Sequence, residues 1–441
     1  MPLSVPLLIR KSIHFFTGML ILVLTWLLER EVLLWLIVGG TLFSFATFRY
    51  QRFYLLHKTS DASLGTLFYP LGILGAYLLL WSLPLYYFQA SLMVLILSDT
   101  LANLIGQIKN GNGKFRILRD SKSMHGIAGY VAASLVVFFV FLPLHLLANP
   151  FYVFFLLALA VTFEVLSWRG SDNFSIPFGM AVFFYLSVVY QPDYRMLSVV
   201  MVLLTAGSFV LYHQQMLTLQ GTLAAWLLGN YLLALPGFQW IVPVLLFFFS
   251  SVLFTRISAS KRQKKGRGGN RNAWQVTANI LWAVVSSALW LATGNDVFVI
   301  LFIAYVAAVT SDTWASEIGP LFNPRSFSLA HMRWHKAGVT GGVSPAGTLA
   351  ALAGAFVIAA VSWWLFFGQW NTGMIALITV AAFLACFADT LLGAFVEPRL
   401  LKMPFFRKGH SPEAITPNDL VNLGGSLTAG FFVWLGMGLF F

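Results

Sequence analysis

Apolar residues run along this chain in blocks of about 17–25, each closed by a short polar stretch, which is the length a helix needs to cross a bilayer. The pattern places spans near 12–28, 32–48, 65–81, 85–108, 126–147, 150–167, 176–190, 196–212, 218–235, 239–257, 273–293, 297–317, 339–366, 372–395 and 420–440. The first run, Ile13–Leu28, ends without a small-residue cleavage site and another apolar run follows at once. It therefore reads as a retained helix and not a signal peptide. The expected architecture is all-α: a polytopic membrane protein of about fifteen transmembrane helices in two tandem helical bundles.

Charge refines that picture. Of the 441 residues, 59% are hydrophobic and 10% charged, yet the net charge is +12. In a soluble chain such an excess points to nucleic acid; here the membrane topology rule accounts for it, and no nucleic-acid partner is expected. With the N-terminus cytoplasmic, Arg30 and Arg195 alone among the 27 Lys and Arg fall outside. The expectation is an integral membrane protein (of the inner membrane, if bacterial) with its N-terminus and candidate sites on the cytoplasmic side. The loop Arg256–Arg271 reads first as an anchor near anionic lipid, and its Gly-rich end as a place where phosphate can lie. One cysteine, Cys386, excludes an internal disulfide. A homo-oligomer is compatible with all of this.

Two phrases interrupt the apolar pattern in the same way: SDTLANLIG at 98–106 and SDTWASEIG at 311–319. An aspartate in or near a bilayer is costly and marks a functional site by default. A basic loop follows each, with Lys122 lying 23 residues after Asp99 and Lys336 lying 24 after Asp312. The turn Tyr190–Arg195 is the expected seam, giving domains 1–192 and 193–441. Both phrases emerge on one side, so the halves are not an inverted pair.

In the first half, Asp99 and Asn103 stand i, i+4 on one helix face and offer oxygen ligands to a hard cation such as Mg²⁺. Lys122, Ser123 and Gly126 open the next helix, where free N–H groups favour phosphate. Glu164, and Asp172 with Asn173, add carboxylate and amide groups; His14 sits one turn inside the first span. Blander readings compete: a snorkelling Asp99, a solvated Lys122, a hydrogen-bonded His14, an ion-paired Glu164, an N-cap at Asp172. In the second half Asp312, Ser316 and Glu317 cluster at a helix end. Arg271, Gln275 and Asn279 belong to a polar stripe that must face protein or ligand in a lipid setting. Gly338, Gly341 and Gly342 form a glycine-rich helix entry. Asp389 and Glu397 are intramembrane acids, and Asn418, Asp419 and Asn422 return carboxylate and amide together. These are parts that phosphoryl or nucleotidyl transfer needs, although no P-loop motif occurs.

These residues carry two resemblances. The first half resembles the phytol kinase/dolichol kinase family, relatives of phosphatidate cytidylyltransferase. It does so through Arg10, Lys11 and His14, then Asp99, Ala102 and Gly106, then Lys122, Ser123 and Gly126, and finally Asp172, Asn173 and Pro177. The second half is similar to a family long catalogued as a domain of unknown function, whose plant member is phytyl-phosphate kinase. That likeness lies in RNAWQVTAN (271–279), SDTWASEIG, GVTGGVSPAGTLAA (338–351), DTLLGA (389–394) and NDLVN (418–422). The family's usual G-T-N-G-G entry reads GVTGG here. The resemblance implies a fusion of two kinases, converting a prenyl alcohol to its monophosphate and then its diphosphate, with CTP or another nucleotide as donor and Mg²⁺ as cofactor. It implies Asp99 with Asn103, and Asp312 with Glu317, as metal ligands, and Lys122 and Lys336 as charge-neutralising groups. Asp172 and Asp419 become second metal or base candidates. Two rivals remain at this level: a cytidylyltransferase making a CDP-linked lipid, and a prenyl-phosphate transporter.

Overall fold

Inside a bilayer each backbone donor and acceptor must be paired within the chain, and an apolar run does this by coiling as a helix. A computed structural model describes residues 5–50, 65–108, 114–117, 120–167, 170–235, 237–262, 271–322, 325–329, 332–336, 341–403 and 415–440. At 5–11, 48–50, 107–108, 114–117, 120–121, 259–262, 336 and 440 it describes the backbone alone. Among the described residues, 11 helices are long and apolar enough to cross a membrane, and Ser12–Leu27, Gly65–Leu79 and Pro150–Leu166 are shorter apolar helices. The protein is a helical integral membrane protein.

Every expected span falls on a helix, but the count of about fifteen exceeds what length and apolarity support. The span at 218–235 is the 16-residue helix Leu219–Ala234, in which Gln220 and Asn230 are buried. The span at 126–147 breaks after Phe141, where Pro143 ends one helix and precedes the short Leu144–Leu147. The span expected from 339 begins at Pro345, because Gly342–Val343 is a strand.

The chain clusters into two compact units, Met1–Leu204 and Thr205–Phe441. The division falls within the helix Tyr194–His213, beyond the 190–195 turn. Its first turns are tied to unit one: Tyr194 Oη donates to the Ser187 carbonyl, and Ser198 Oγ to that of Phe151.

In unit one, the helix Leu85–Met93 passes through a π-helical turn, Val94–Ser98, into Asp99–Ile108. A hairpin of Lys114–Ile117 and Asp120–Ser123 leads to the helix Met124–Phe141. Pro150–Leu166 and Asp172–Tyr190 complete the bundle, the latter packed on Gly65–Leu79. In unit two, Val297–Phe322 leads into a three-stranded antiparallel sheet of Arg333–Lys336, Arg325–Ser328 and Gly342–Val343, in that order. The helices Pro345–Phe367, Thr372–Phe395 and Pro417–Phe440 follow, and Ala273–Thr293 packs on Val297–Phe322 and Pro417–Phe440. The sequence pattern anticipated loops where these two small sheets stand, because four-residue strands of mixed polarity carry no usable alternation.

One local arrangement occurs in both units. Ser123 caps the helix Met124–Phe141 by accepting from the Gly126 amide, and Ser344 caps Pro345–Phe367 by accepting from the Gly347 amide. A Cβ on Gly106 would stand 2.8 Å from Ser123 Oγ, and one on Gly126 would stand 2.9 Å from the Ala102 carbonyl. The matching distances in unit two are 2.9 Å from Gly319 to Ser344 Oγ and 3.1 Å from Gly347 to the Ala315 carbonyl. Two helices cross backbone against backbone at each place, which glycine alone permits. The strand residue before each capping serine is Lys122 in one unit and Val343 in the other. Each lies opposite a phenylalanine, Phe115 and Phe327 respectively.

Candidate functional site

The crossing in unit one holds Asp99 beside the start of the next helix. A carboxylate oxygen of Asp99, one of Glu164 and one of Asp172 all lie within 4.8 Å of one another. Asp99 and Glu164 are buried, at 5% and 4% exposure. Lys122 reaches in from the hairpin, its Nζ 2.6 Å from Glu164 Oε1 and 2.9 Å from Ser167 Oγ. Burial pulls the Lys122 pKa down, but the charges of Glu164, Asp172 and Asp99 outweigh it and hold the ammonium above the ordinary lysine range. Glu164 Oε2 and the Tyr130 hydroxyl are both buried and have no hydrogen-bond partner among the described residues. Tyr130 lies close enough to Glu164, Asp99 and Asp172 to feel all three charges.

Three carboxylates against one ammonium leave an excess of negative charge in a poorly solvated place. That donor set fits a hard divalent cation. It differs from the pairing expected from sequence. The Asn103 side-chain nitrogen donates to Asp99 Oδ1 and to the Asp99 carbonyl, both at 2.7 Å. The amide nitrogen thus steadies the Asp99 carboxylate, and the Asn103 carbonyl oxygen is left as an acceptor.

Other expectations in this half are redirected by local bonding. Ser123 Oγ accepts from the Gly126 amide as a cap and Gly126 lies in the helix crossing, so both build the helix start. Asn173 donates to the Gly65 and Gly170 carbonyls, which fixes the start of its helix. His14 stacks on Tyr69 with ring centroids 4.6 Å apart. The side chain of Arg10 lies outside the described residues.

Unit two places its polar residues around a cavity of about 430 Å³, the size of a small-ligand site. Arg271, Gln275 and Asn279 line it from one helix start, and Asp312, Ser316 and Glu317 from a second helix. Gly341 and Gly342, Asp389, and Asn418 with Asn422 supply the remaining polar wall. Glu317 Oε1 accepts from Thr255 Oγ1 at 3.0 Å, and Asn422 donates to Asn279 Oδ1 at 3.5 Å. Gln275 closes a capping box with Asn272. Gly341 has φ +76°, and a Cβ there would meet Ala394 at 2.7 Å.

Asp419 stands apart from this wall. Its Oδ2 accepts from the backbone N–H and hydroxyl of Thr416, and its own N–H donates to Thr416 Oγ1. That is a capping box at the start of the last helix, so Asp419 organises the helix that presents Asn418 and Asn422. Gly338 and the side chain of Lys336 lie outside the described residues. The strand bearing Lys336 pairs with Arg325–Ser328 and ends opposite Arg325, whereas the place held by Lys122 in unit one belongs to Val343. The extra strand lengthens the connection in unit two, so a matched aspartate-to-lysine spacing does not put Lys336 at the backbone position of Lys122.

Sequence reasoning overlooked Tyr130, Val343, Cys386, Thr348 and Thr390. Cys386 and Thr390 lie three before and one after Asp389 and line the same cavity, a helical spacing that marks them once Asp389 is taken as a site residue. Tyr130 gives no such signal, being one aromatic in an apolar run.

The fold and these sites define a polytopic helical membrane protein whose buried acids gather at helix ends. Residues 201–430 match the model of the family described as integral membrane protein DUF92, and the chain belongs to that family. An uncharacterized membrane protein of Methanocaldococcus jannaschii is 30% identical over 215 residues, covering 48% of this chain and 82% of that protein. An uncharacterized membrane protein of Synechocystis is 31% identical over 192 residues, covering 42% and 73%. Protein VTE6, chloroplastic, of Arabidopsis thaliana is 25% identical over 192 residues, covering 42% of this chain and 57% of its own length. No solved structure matches the chain.

Proposed function

We propose that the chain is a membrane-bound isoprenoid-alcohol kinase acting twice, unit one on the alcohol and unit two on the monophosphate. The observation that carries this reading is the duplicated crossing, which in each unit sets an aspartate beside a serine-capped helix start. The motif resemblances of the two halves supply the chemistry: phytol/dolichol kinases for the first, phytyl-phosphate kinases for the second. A prenyl chain stays dissolved in the bilayer while its polar end reaches the helix ends, on the cytoplasmic side by the distribution of Lys and Arg.

In the first step the prenol oxygen attacks the terminal phosphorus of CTP or another nucleoside triphosphate. The bond to the bridging oxygen breaks, its electron pair leaves with the diphosphate, and the hydroxyl proton passes to a carboxylate of the cluster. In the second step an oxygen of the prenyl monophosphate attacks in the same way and a P–O–P linkage forms. Asp99, Glu164 and Asp172 would hold Mg²⁺ in unit one; in unit two Asp312 and Asp389 would hold it, with no third carboxylate converging on them among the described residues. The cation would supply charge neutralisation for the nucleotide phosphates. Lys122 holds a fixed positive charge among the acids of unit one, and Asn103 fixes the Asp99 carboxylate.

The direct test gives purified protein geranylgeraniol or phytol with labelled CTP and Mg²⁺ and resolves mono- from diphosphate over time. Sequential appearance of the two is expected. A CDP-linked lipid would identify a cytidylyltransferase instead, and prenyl-phosphate flux in proteoliposomes without nucleotide a transporter.

A further inference from the structure

The two units differ in where their cation stands. In unit one, Lys122 projects from the strand before the capping serine and is bound to Glu164 and Ser167. Val343 takes that position in unit two, opposite the equivalent phenylalanine. Among the described residues, the cation lining the unit-two cavity is Arg271, from a different element.

Arg271 is held by its backbone. Its N–H donates to the Met216 carbonyl at 3.0 Å, its carbonyl accepts from the Thr218 N–H at 3.0 Å, and it bridges in parallel to Leu217. Gly221 is glycine at the place where the Arg271 carbonyl presses against it. Asn272 then starts the helix with a capping box. The guanidinium therefore leaves a rigid base, lines the cavity, and makes no hydrogen bond or ion pair with any described residue. Burial lowers its pKa, and the nearby charge of Glu317 partly offsets this. Five N–H donors in a planar fork, poorly solvated and unpaired, match a phosphate ester with two parallel bonds.

Lys122 is consumed by its own carboxylate, which suits a site for an uncharged acceptor. Arg271 is not, and the Val343 position adds no competing ammonium. We infer that Arg271 reads the phosphate of an already phosphorylated acceptor, and is the residue that makes unit two select a prenyl phosphate monoester over the alcohol. This rests on the proposed function for its second step, yet the binding it describes can be measured without turnover.

The experiment compares the full chain with Arg271→Gln and Arg271→Lys. Thermal shift and intrinsic tryptophan fluorescence are titrated with geranylgeranyl monophosphate and, separately, geranylgeraniol. The expected result is that wild type binds the monophosphate, R271Q binds it about tenfold or more weakly, and R271K falls between, as the loss of a charge-assisted pair dictates. All three should melt alike without ligand, since the guanidinium makes no hydrogen bond or ion pair with any described residue. In turnover assays the KM for monophosphate should rise while that for nucleotide holds. Equal monophosphate binding by wild type and R271Q overturns the inference, as does a rise confined to the nucleotide KM, which would place Arg271 on the donor. Monophosphate binding that depends on Arg271 without any diphosphate formed would leave the inference standing and remove the kinase reading.

Discussion

Lys122 and Val343 hold the same place in two copies of one arrangement: each precedes the serine that caps a helix, and each faces a phenylalanine across a strand pair. In one copy the place carries a buried ion pair. In the other it carries a branched hydrocarbon, and among the described residues the cation lining the cavity, Arg271, comes from another element.

The ion pair has a stability consequence. Replacing Lys122 with Met leaves Glu164 buried and uncompensated, which costs about 3–5 kcal/mol when one partner of a buried pair is lost. The double change Lys122→Met with Glu164→Gln should recover most of that loss. Thermal denaturation of the purified variants tests this; a double variant no more stable than the single one would show that the pair is not the source.

The same lysine sets a pH expectation. Its folded pKa lies above the ordinary value, so its contribution is fully present below the unfolded pKa and is lost as pH rises through the folded one. Wild type minus K122M stability should therefore show no decline up to about pH 9 and fall only in stronger alkali. A decline beginning near neutrality would mean that Lys122 titrates early and that the acids do not outweigh its burial.

The two aspartates should separate the two steps. Asp312→Asn should let monophosphate accumulate from prenol, whereas Asp99→Asn should stop its formation while leaving added monophosphate convertible to diphosphate. Identical product profiles from both variants would defeat the two-site reading.

The helix crossings should tolerate no side chain. Gly126→Ala and Gly347→Ala each place a Cβ closer to a carbonyl oxygen than such atoms ordinarily stand, an overpacking that costs roughly 1–3 kcal/mol. Gly207, where an added Cβ would meet nothing within 4 Å, is the control, and Gly207→Ala should change the melting temperature little. Comparable losses at Gly207 and Gly347 would show that the crossing is not the source of the effect.

The sequence disclosed the membrane helices because bilayer thickness imposes one length on every span. It disclosed Arg271, Gln275 and Asn279 because polar residues at helical spacing cannot be wasted in lipid. At Ser123 and Asp419 the structure shows helix capping, which uses the same donors and acceptors as ligand binding and so leaves no mark of its own in the sequence. Residue spacing does not reveal the extra strand that puts Val343, and not Lys336, before the capping serine of unit two. Asp99, Glu164 and Asp172 come from three helices, and their convergence is a property of packing that no local pattern encodes.

The crossings at Gly106–Gly126 and Gly319–Gly347 also bear on descent. Where backbone meets backbone, every single-step substitution passes through a clash, so drift is arrested there while neighbouring positions wander. These four glycines, with Ala102 and Ala315 beside them, are the positions at which a common ancestor of the two units would remain legible longest. Substitution rates at these six sites, set against those of their helical neighbours, offer a clock for when one membrane unit became two.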